Sequence, residues 1–215
     1  MMIGDKLLIK DYHRKAAELA LPKVLESIEK KGRIAVSVAG ESGSGKSETG
    51  YCIKEDLEKK GYNVVLLGQD DYFRLPPKTN AKKREEDISW VGPGEVRLDL
   101  LDEHVRKLKQ GAVGLEKPLV YFDEDRIGEE KISGGPFDVV VIEGTYTSLV
   151  PSVDVRVFID RNYKQTKKNR LERARDPDVE FLERVLAIEH VEISSHKSRA
   201  DVIIPPPEEE QNLGV

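Results

Sequence analysis

Apolar residues recur along this chain in two rhythms, one at helical spacing and one that alternates or runs unbroken. Ala16, Leu19, Ala20, Val24, Leu25 and Ile28 form a stripe at helical spacing. They predict a first helix over residues 12–30, with Asp11 as its cap. Pro22 falls inside the stripe and is expected to kink or split it, and Gly32 ends it. Residues 33–39 alternate and predict a strand; a helix over 46–60 follows and stops at Gly61. Residues 62–67 read as a buried strand, 97–110 as a helix closed by Gly111, and 117–132 as a short β-ribbon turning at Asp123-Glu124-Asp125-Arg126. The unbroken apolar run over 137–142 suits the centre of a parallel sheet. Further strands are expected over 153–159 and 201–204, with a basic helix over 163–175 and an amphipathic helix over 178–195 between them. Two stretches keep neither rhythm. Residues 74–95, rich in Pro, Lys and Glu, read as a loop or lid-like substrate segment. Residues 205–215, opening with three prolines and three glutamates, read as a disordered tail.

Strands separated by helices four or five times over imply an α/β fold. The expected form is a doubly wound parallel sheet with helices on both faces, three layers deep, carrying a small β-ribbon and lid insertion. Its domain spans residues 33–204, with the helix of residues 1–32 packed on it. In such sheets ligands sit at the carboxyl ends of the strands, so chemistry is sought there.

Composition narrows the partners. The 215 residues carry 40 acids and 35 bases, a net charge of -5, which suggests neither a general nucleic-acid surface nor an anionic-membrane surface. The single cysteine, Cys52, excludes an internal disulfide and suits a reducing compartment. The first residues lack the apolar core of a signal peptide, and no run reaches membrane-spanning length. A cytoplasmic enzyme is expected, and the sequence leaves a homo-oligomer open.

The densest chemistry is Gly40-Glu41-Ser42-Gly43-Ser44-Gly45-Lys46-Ser47, set between a predicted strand and a predicted helix. This is a phosphate-binding loop. Its glycines let the backbone approach an anion, its N–H groups and the helix N-terminus supply positive potential, and both suit a nucleoside triphosphate such as ATP. Lys46 is expected on the β- and γ-phosphates and Ser47 on Mg²⁺. Glu48 and Arg175 complete the expected nucleotide-binding set.

Other strand ends supply the remainder. Asp70, one strand from the loop, is the candidate base for an acceptor hydroxyl. Asp71 faces metal or solvent, or serves as a turn carboxylate. Glu143 ends an otherwise apolar strand and is assigned to Mg²⁺. Arg170 and Arg173 share a helix face and could close over a transferring phosphoryl group. Lys167 and Lys168 read as a solvated face. Tyr72, Phe73 and Trp90 are candidates for an acceptor pocket, the last two equally for packing. His13, His104, His190 and His196 have no metal-ligand spacing and are given structural or solvent roles.

The loop, Gln69-Asp70 with Arg74, Val139-Val140-Val141-Ile142-Glu143-Gly144, Arg173-Ala174-Arg175-Asp176 and Ala200-Asp201-Val202-Ile203-Ile204 together resemble the uridine kinase and phosphoribulokinase superfamily. The resemblance implies phosphorylation of a hydroxyl on a small metabolite by ATP with Mg²⁺, Asp70 as the catalytic aspartate, and the arginine segment as a lid. The acceptor segment departs from uridine kinases. Arg97 stands where they carry a ribose-binding aspartate. Tyr121 and Arg126 keep counterparts in the ribbon that reads the pyrimidine, but the intervening histidine is missing. A guanidinium donates where a carboxylate accepts. The departures therefore point from uridine toward an acceptor bearing a carboxylate or phosphate, paired with Arg97 or Arg126. Arg97 could equally be a solvated residue in the first turn of its helix. Tyr72, Arg74, Arg97, Tyr121 and Arg126, with Asp70, form the expected substrate-binding set. Three rival readings are a GTP-hydrolysing protein, because residues 125–128 match Asp-x-x-Gly, a non-catalytic nucleotide binder, and a different small-molecule kinase of the superfamily, such as one for pantothenate, ribosylnicotinamide or glycerate.

Overall fold

The computed structural model describes residues 7–167, 170 and 179–210. Its central sheet contains β1 (Ile34–Gly40), β2 (Val64–Gly68), β5 (Val139–Glu143), β6 (Val155–Ile159) and β7 (Val202–Ile204). A separate antiparallel ribbon pairs β3 (Glu116–Tyr121) with β4 (Arg126–Lys131). The helices are α1 (Asp11–Lys31), α2 (Lys46–Lys59), α3 (Pro77–Glu86), α4 (Leu98–Lys109) and α5 (Val179–Ser194). All strands of the central sheet run parallel, in the order β2-β5-β1-β6-β7. Successive side chains of a strand face opposite ways, so β1 feeds two cores. Val36 and Val38 pack with Ala16, Ala20, Val24, Ile53 and Leu57 beneath α1 and α2. Ala35 and Ala39 pack with Leu101, Val105, Leu108 and Ile193 beneath α4 and α5. The doubly wound α/β fold and its ribbon are as the hydrophobic pattern predicts.

Three sequence expectations need correction. Asp11 is the first helical residue of α1 rather than its cap; the backbone N–H of Lys10 is taken by His13 Nδ1 at 2.9 Å. The helix continues through Pro22 without a break. Residues 74–95 are not a loop. They contain α3, which shows no apolar stripe because its inward face is polar. Asn80 is its only buried residue, and Arg84 makes two hydrogen bonds to the fully buried Glu95, at 2.7 and 3.0 Å. Asn80 Nδ2 donates to the same carboxylate, Trp90 Nε1 donates to Asn80 Oδ1, and Gly92 N donates to Glu95 Oε1. Trp90 is therefore a packing and hydrogen-bonding residue. Arg84 also reaches Glu189 on α5 at 3.2 Å. Hydrophobic periodicity cannot reveal a helix held by such a cluster.

The start of the expected tail is likewise pinned. Arg161 makes a bidentate pair with Glu210, at 2.8 and 2.6 Å, and Gln165 Nε2 donates to the Glu210 carbonyl. Within the expected basic helix, Arg173 and Arg175 lie outside the described residues, as do residues 211–215.

Glu95 accepts four hydrogen bonds from three residues, so its removal strands a buried guanidinium and a buried amide. Glu95→Ala should lower unfolding free energy by about 3 kcal/mol, read as a reduced denaturant midpoint. An unchanged midpoint would show that the cluster does not hold α3.

Candidate active site

The phosphate loop leaves the carboxyl end of β1 and enters α2 at Lys46. Three of its carbonyls are bonded by side chains, two of them from outside the loop. Lys46 Nζ donates to Glu41 O at 2.9 Å, Thr166 Oγ1 to Ser42 O at 2.8 Å, and Arg161 Nη1 to Ser44 O at 3.0 Å. The Glu41 carboxylate accepts from Tyr163 N at 2.7 Å and lies 2.7 Å from His190 Nδ1. Its side chain is thus a structural anchor of the loop. Fixing carbonyls outward favours inward N–H groups, the arrangement an anion requires. Glu48 is buried within the first turn of α2, so its side chain is held inside the protein.

Two neighbours crowd the loop so closely that only glycine fits. A Cβ on Gly43 would lie 2.8 Å from Arg170 Cγ, and one on Gly45 would lie 2.6 Å from His13 Nε2. Arg170 therefore crosses the loop at its glycine-rich turn. It is tethered there by Tyr163 O, by Thr166 Oγ1 at 2.8 Å, and by Glu183 at 3.5 Å.

On the other flank, Ser47 Oγ donates to Glu143 Oε2 at 3.0 Å. Burial raises the Glu143 carboxyl to about 7, and the negative charge of Asp70 adds to the rise; Lys46 and the Ser47 hydrogen bond oppose it. Parallel pairing sets Gly68 against Glu143, and Asp70 follows in the short turn Gln69–Tyr72. Lys46, Ser47, Asp70 and Glu143 thus meet at the ends of β1, β2 and β5. The turn is set by Gln69, whose Oε1 accepts Tyr146 N at 2.7 Å. Gly144 has φ 153°, and a Cβ there would fall 2.3 Å from Gln69 Cβ. The invading side chain would displace the residue before Asp70.

A divalent cation fits this corner in part. A hydroxyl and a carboxylate already face one another, and Mg²⁺ characteristically takes one or two protein oxygens plus phosphate and water. Among the described residues no group of three His, Cys, Asp or Glu side chains could hold a metal alone.

The rest of the expected acceptor set separates. Asp70 is exposed, whereas Asp71 and Tyr72 turn inward. Asp71 is fully buried; it pairs with Lys117 at 2.6 Å and accepts Val120 N at 3.0 Å, tying the turn to the ribbon. It faces neither metal nor solvent. Tyr72 does not line a pocket: it is fully buried, its hydroxyl lies 2.9 Å from His104 Nδ1, and burial raises its pKa. Arg74 is exposed and donates through Nε to Gly94 O. Arg97 borders a cavity of about 530 Å³ between α4 and the ribbon, whose walls exclude Lys46, Asp70 and Glu143. Its buried Nε has no hydrogen-bond partner among the described residues. Arg126 stacks on Tyr121 at 3.5 Å and bonds Glu124 at the ribbon turn. Asp125 binds Lys78 N and Thr79, holding the start of α3. The Asp-x-x-Gly match at 125–128 is thereby a helix cap.

Sequence reasoning missed Arg161, Thr166, His13 and His190 as shapers of the loop. The only signal for Arg161 was its place at the end of a strand. The histidines gave none, because their partners are distant in sequence.

The phosphoribulokinase / uridine kinase family matches residues 35–208. A uridine kinase of Staphylococcus epidermidis is 28% identical over 182 residues, covering 79% of this chain and 86% of its own. A possible uridine kinase from Bacillus stearothermophilus superposes with a TM-score of 0.64 at 21% identity, covering 89% of this chain and 98% of its own. Phosphoribulokinase from Rhodobacter spheroides gives 0.61 at 12%, over 86% of this chain and 75% of its own. Among the described residues no helix is long and apolar enough to cross a membrane. With loop, strand-end carboxylates and parallel sheet in this arrangement, the chain belongs to the phosphoribulokinase / uridine kinase family, and it is a small-molecule kinase that uses ATP.

Proposed function

We propose that this kinase transfers the γ-phosphoryl group of MgATP to a hydroxyl of a small acidic metabolite. The observation that carries the reading is the convergence of Lys46, Ser47, Glu143 and Asp70 at adjacent strand ends. The amides of residues 40–48 bind the phosphates, and Lys46 Nζ moves from the Glu41 carbonyl to the β- and γ-phosphates. Ser47 and Glu143 would hold Mg²⁺, which would neutralise phosphate charge there. Asp70 accepts the proton of the acceptor hydroxyl as its oxygen bonds to the γ-phosphorus and the bond to ADP breaks. Arg170 lies over Gly43 and stabilises charge on the transferring group, aided by Arg173 and by Arg175 on the nucleotide.

The acidic acceptor is supported by the Arg97 guanidinium, whose buried Nε has no hydrogen-bond partner among the described residues. The backbone N–H of Arg97 donates to Tyr72 O, two residues from Asp70. Arg126 is half of a stacked pair with Tyr121 and is the alternative anchor. Uridine is the competing acceptor, favoured by the name of the staphylococcal relatives.

Lys46→Ala should abolish measurable phosphoryl transfer in a coupled ATPase assay with acceptor. Asp70→Asn should retain MgATP binding by calorimetry and lose about 100-fold or more in kcat; full turnover would remove Asp70 from the base role. In a substrate screen, hydroxy acids and sugar phosphates should support ATP consumption, and Arg97→Ala should raise the acceptor KM by about tenfold. Turnover of neutral nucleosides alone would overturn the acidic acceptor.

A further inference from the structure

The family match begins at residue 35, after α1 has ended. Yet α1 is not remote from the phosphate loop. His13 lies against Gly45, and the Tyr12 ring lies 4.6 Å from the Arg161 guanidinium that bonds the Ser44 carbonyl. Beside this contact is a cavity of about 1000 Å³. Tyr12, Lys15 and Leu19 of α1 form one wall, Arg161 and Pro205–Pro207 line the remainder, and Ser44 and Thr49 border it at the loop.

Sheet order tells which part of a nucleotide could reach that cavity. The transferable phosphoryl must lie toward Asp70 and Glu143, which end β2 and β5 on one side of β1. A nucleotide extended across the loop then carries its base to the opposite side, where β6 and β7 end. The cavity lies there, between Ile159 and Ile204 at the ends of those strands and α1. Its chemistry suits the uncharged end of the ligand. Leu19 is 57% exposed and lines the cavity together with the proline run. Lys10, Lys15 and Arg161 balance Asp11, Glu208 and Glu210 around it, so the lining offers no net positive charge to hold a polyphosphate.

We propose that α1 forms one wall of the nucleoside subsite, so that Tyr12 and Leu19 determine affinity and selectivity for the base of the phosphoryl donor. This rests on the nucleotide reading above, which assigns the phosphates to the loop. The flat ring of Tyr12 and the apolar face of Leu19 pack the heterocycle, and the phosphates contribute the remaining affinity independently.

Binding of MgATP and of magnesium tripolyphosphate separates the two contributions, because the second ligand lacks a nucleoside. Calorimetric titrations of the full chain would compare wild type, Leu19→Glu and Tyr12→Ala. Both variants should weaken MgATP by about fivefold or more, keep tripolyphosphate affinity, and alter the preference between ATP and GTP. Leu19 is exposed, so its variant should retain the wild-type circular dichroism; should Tyr12→Ala not fold, the Leu19 comparison decides. Unchanged MgATP affinity in Leu19→Glu, or equal weakening of both ligands, overturns the proposal. Wild-type protein that binds neither ligand overturns the nucleotide reading itself and this proposal with it. Wild type that binds both, with variants that do not discriminate, overturns only the role of α1.

Discussion

Everything in this molecule that concerns phosphate depends on keeping the carbonyls of one short loop turned away from its concave side. A peptide presents a donor and an acceptor together, so a cage of donors is achieved only if the acceptors are satisfied elsewhere. Lys46 Nζ occupies the Glu41 carbonyl from within the loop, and Thr166 and Arg161 fix those of Ser42 and Ser44. They come from α2, from the segment after β6 and from the end of β6, so the loop's shape is a tertiary property rather than a local one. Arg161 extends the constraint further: its guanidinium bonds the loop, rests on Tyr12 and grips Glu210. The two ends of the described chain are thereby joined beneath the loop.

The loop's positive potential meets a compensating negative corner. Glu143 is buried beside Asp70, and both the cost of its desolvation and that second charge disfavour ionisation. The Ser47 hydrogen bond and the Lys46 ammonium pull the other way. A divalent cation would shift this balance toward the ionised carboxylate, and triphosphate charge would compensate the lysine. Loop and corner therefore complement one another electrostatically, with the metal and the phosphates supplying charge where each needs it.

Much of this was readable in the sequence, and the rest failed for identifiable reasons. The loop is legible because anion binding by backbone needs glycine at set positions, and the sheet because buried parallel strands are continuously apolar. The helix α3 was invisible because Asn80 and Arg84 bury polar groups toward Glu95, and no periodicity marks polar burial. Adjacent residues in the turn after β2 divide their roles in a way composition cannot show. Asp70 is exposed beside the loop, whereas Asp71 holds the ribbon through Lys117 and Tyr72 sits in the core against His104. Arg97 was marked by its departure from the resemblance, and its buried Nε shows that it is not a fully solvated residue.

The same division accounts for how a chain 28% identical to a uridine kinase can keep the phosphate chemistry while its acceptor side diverges. The phosphate half is built largely from main-chain groups, so it demands glycines, a lysine, a hydroxyl and two carboxylates and tolerates change around them. In the other half, the ribbon, α3 and α4 present side chains instead, and polar side-chain contacts are the kind that discriminate strongly between ligands. That half is anchored to the reaction centre through Asp71–Lys117 and the Arg97–Tyr72 backbone bond. A change of side chain at Arg97 therefore leaves its backbone link to the turn that carries Asp70 in place. A fixed phosphate loop beside a side-chain surface free to vary is how one fold can serve different substrates.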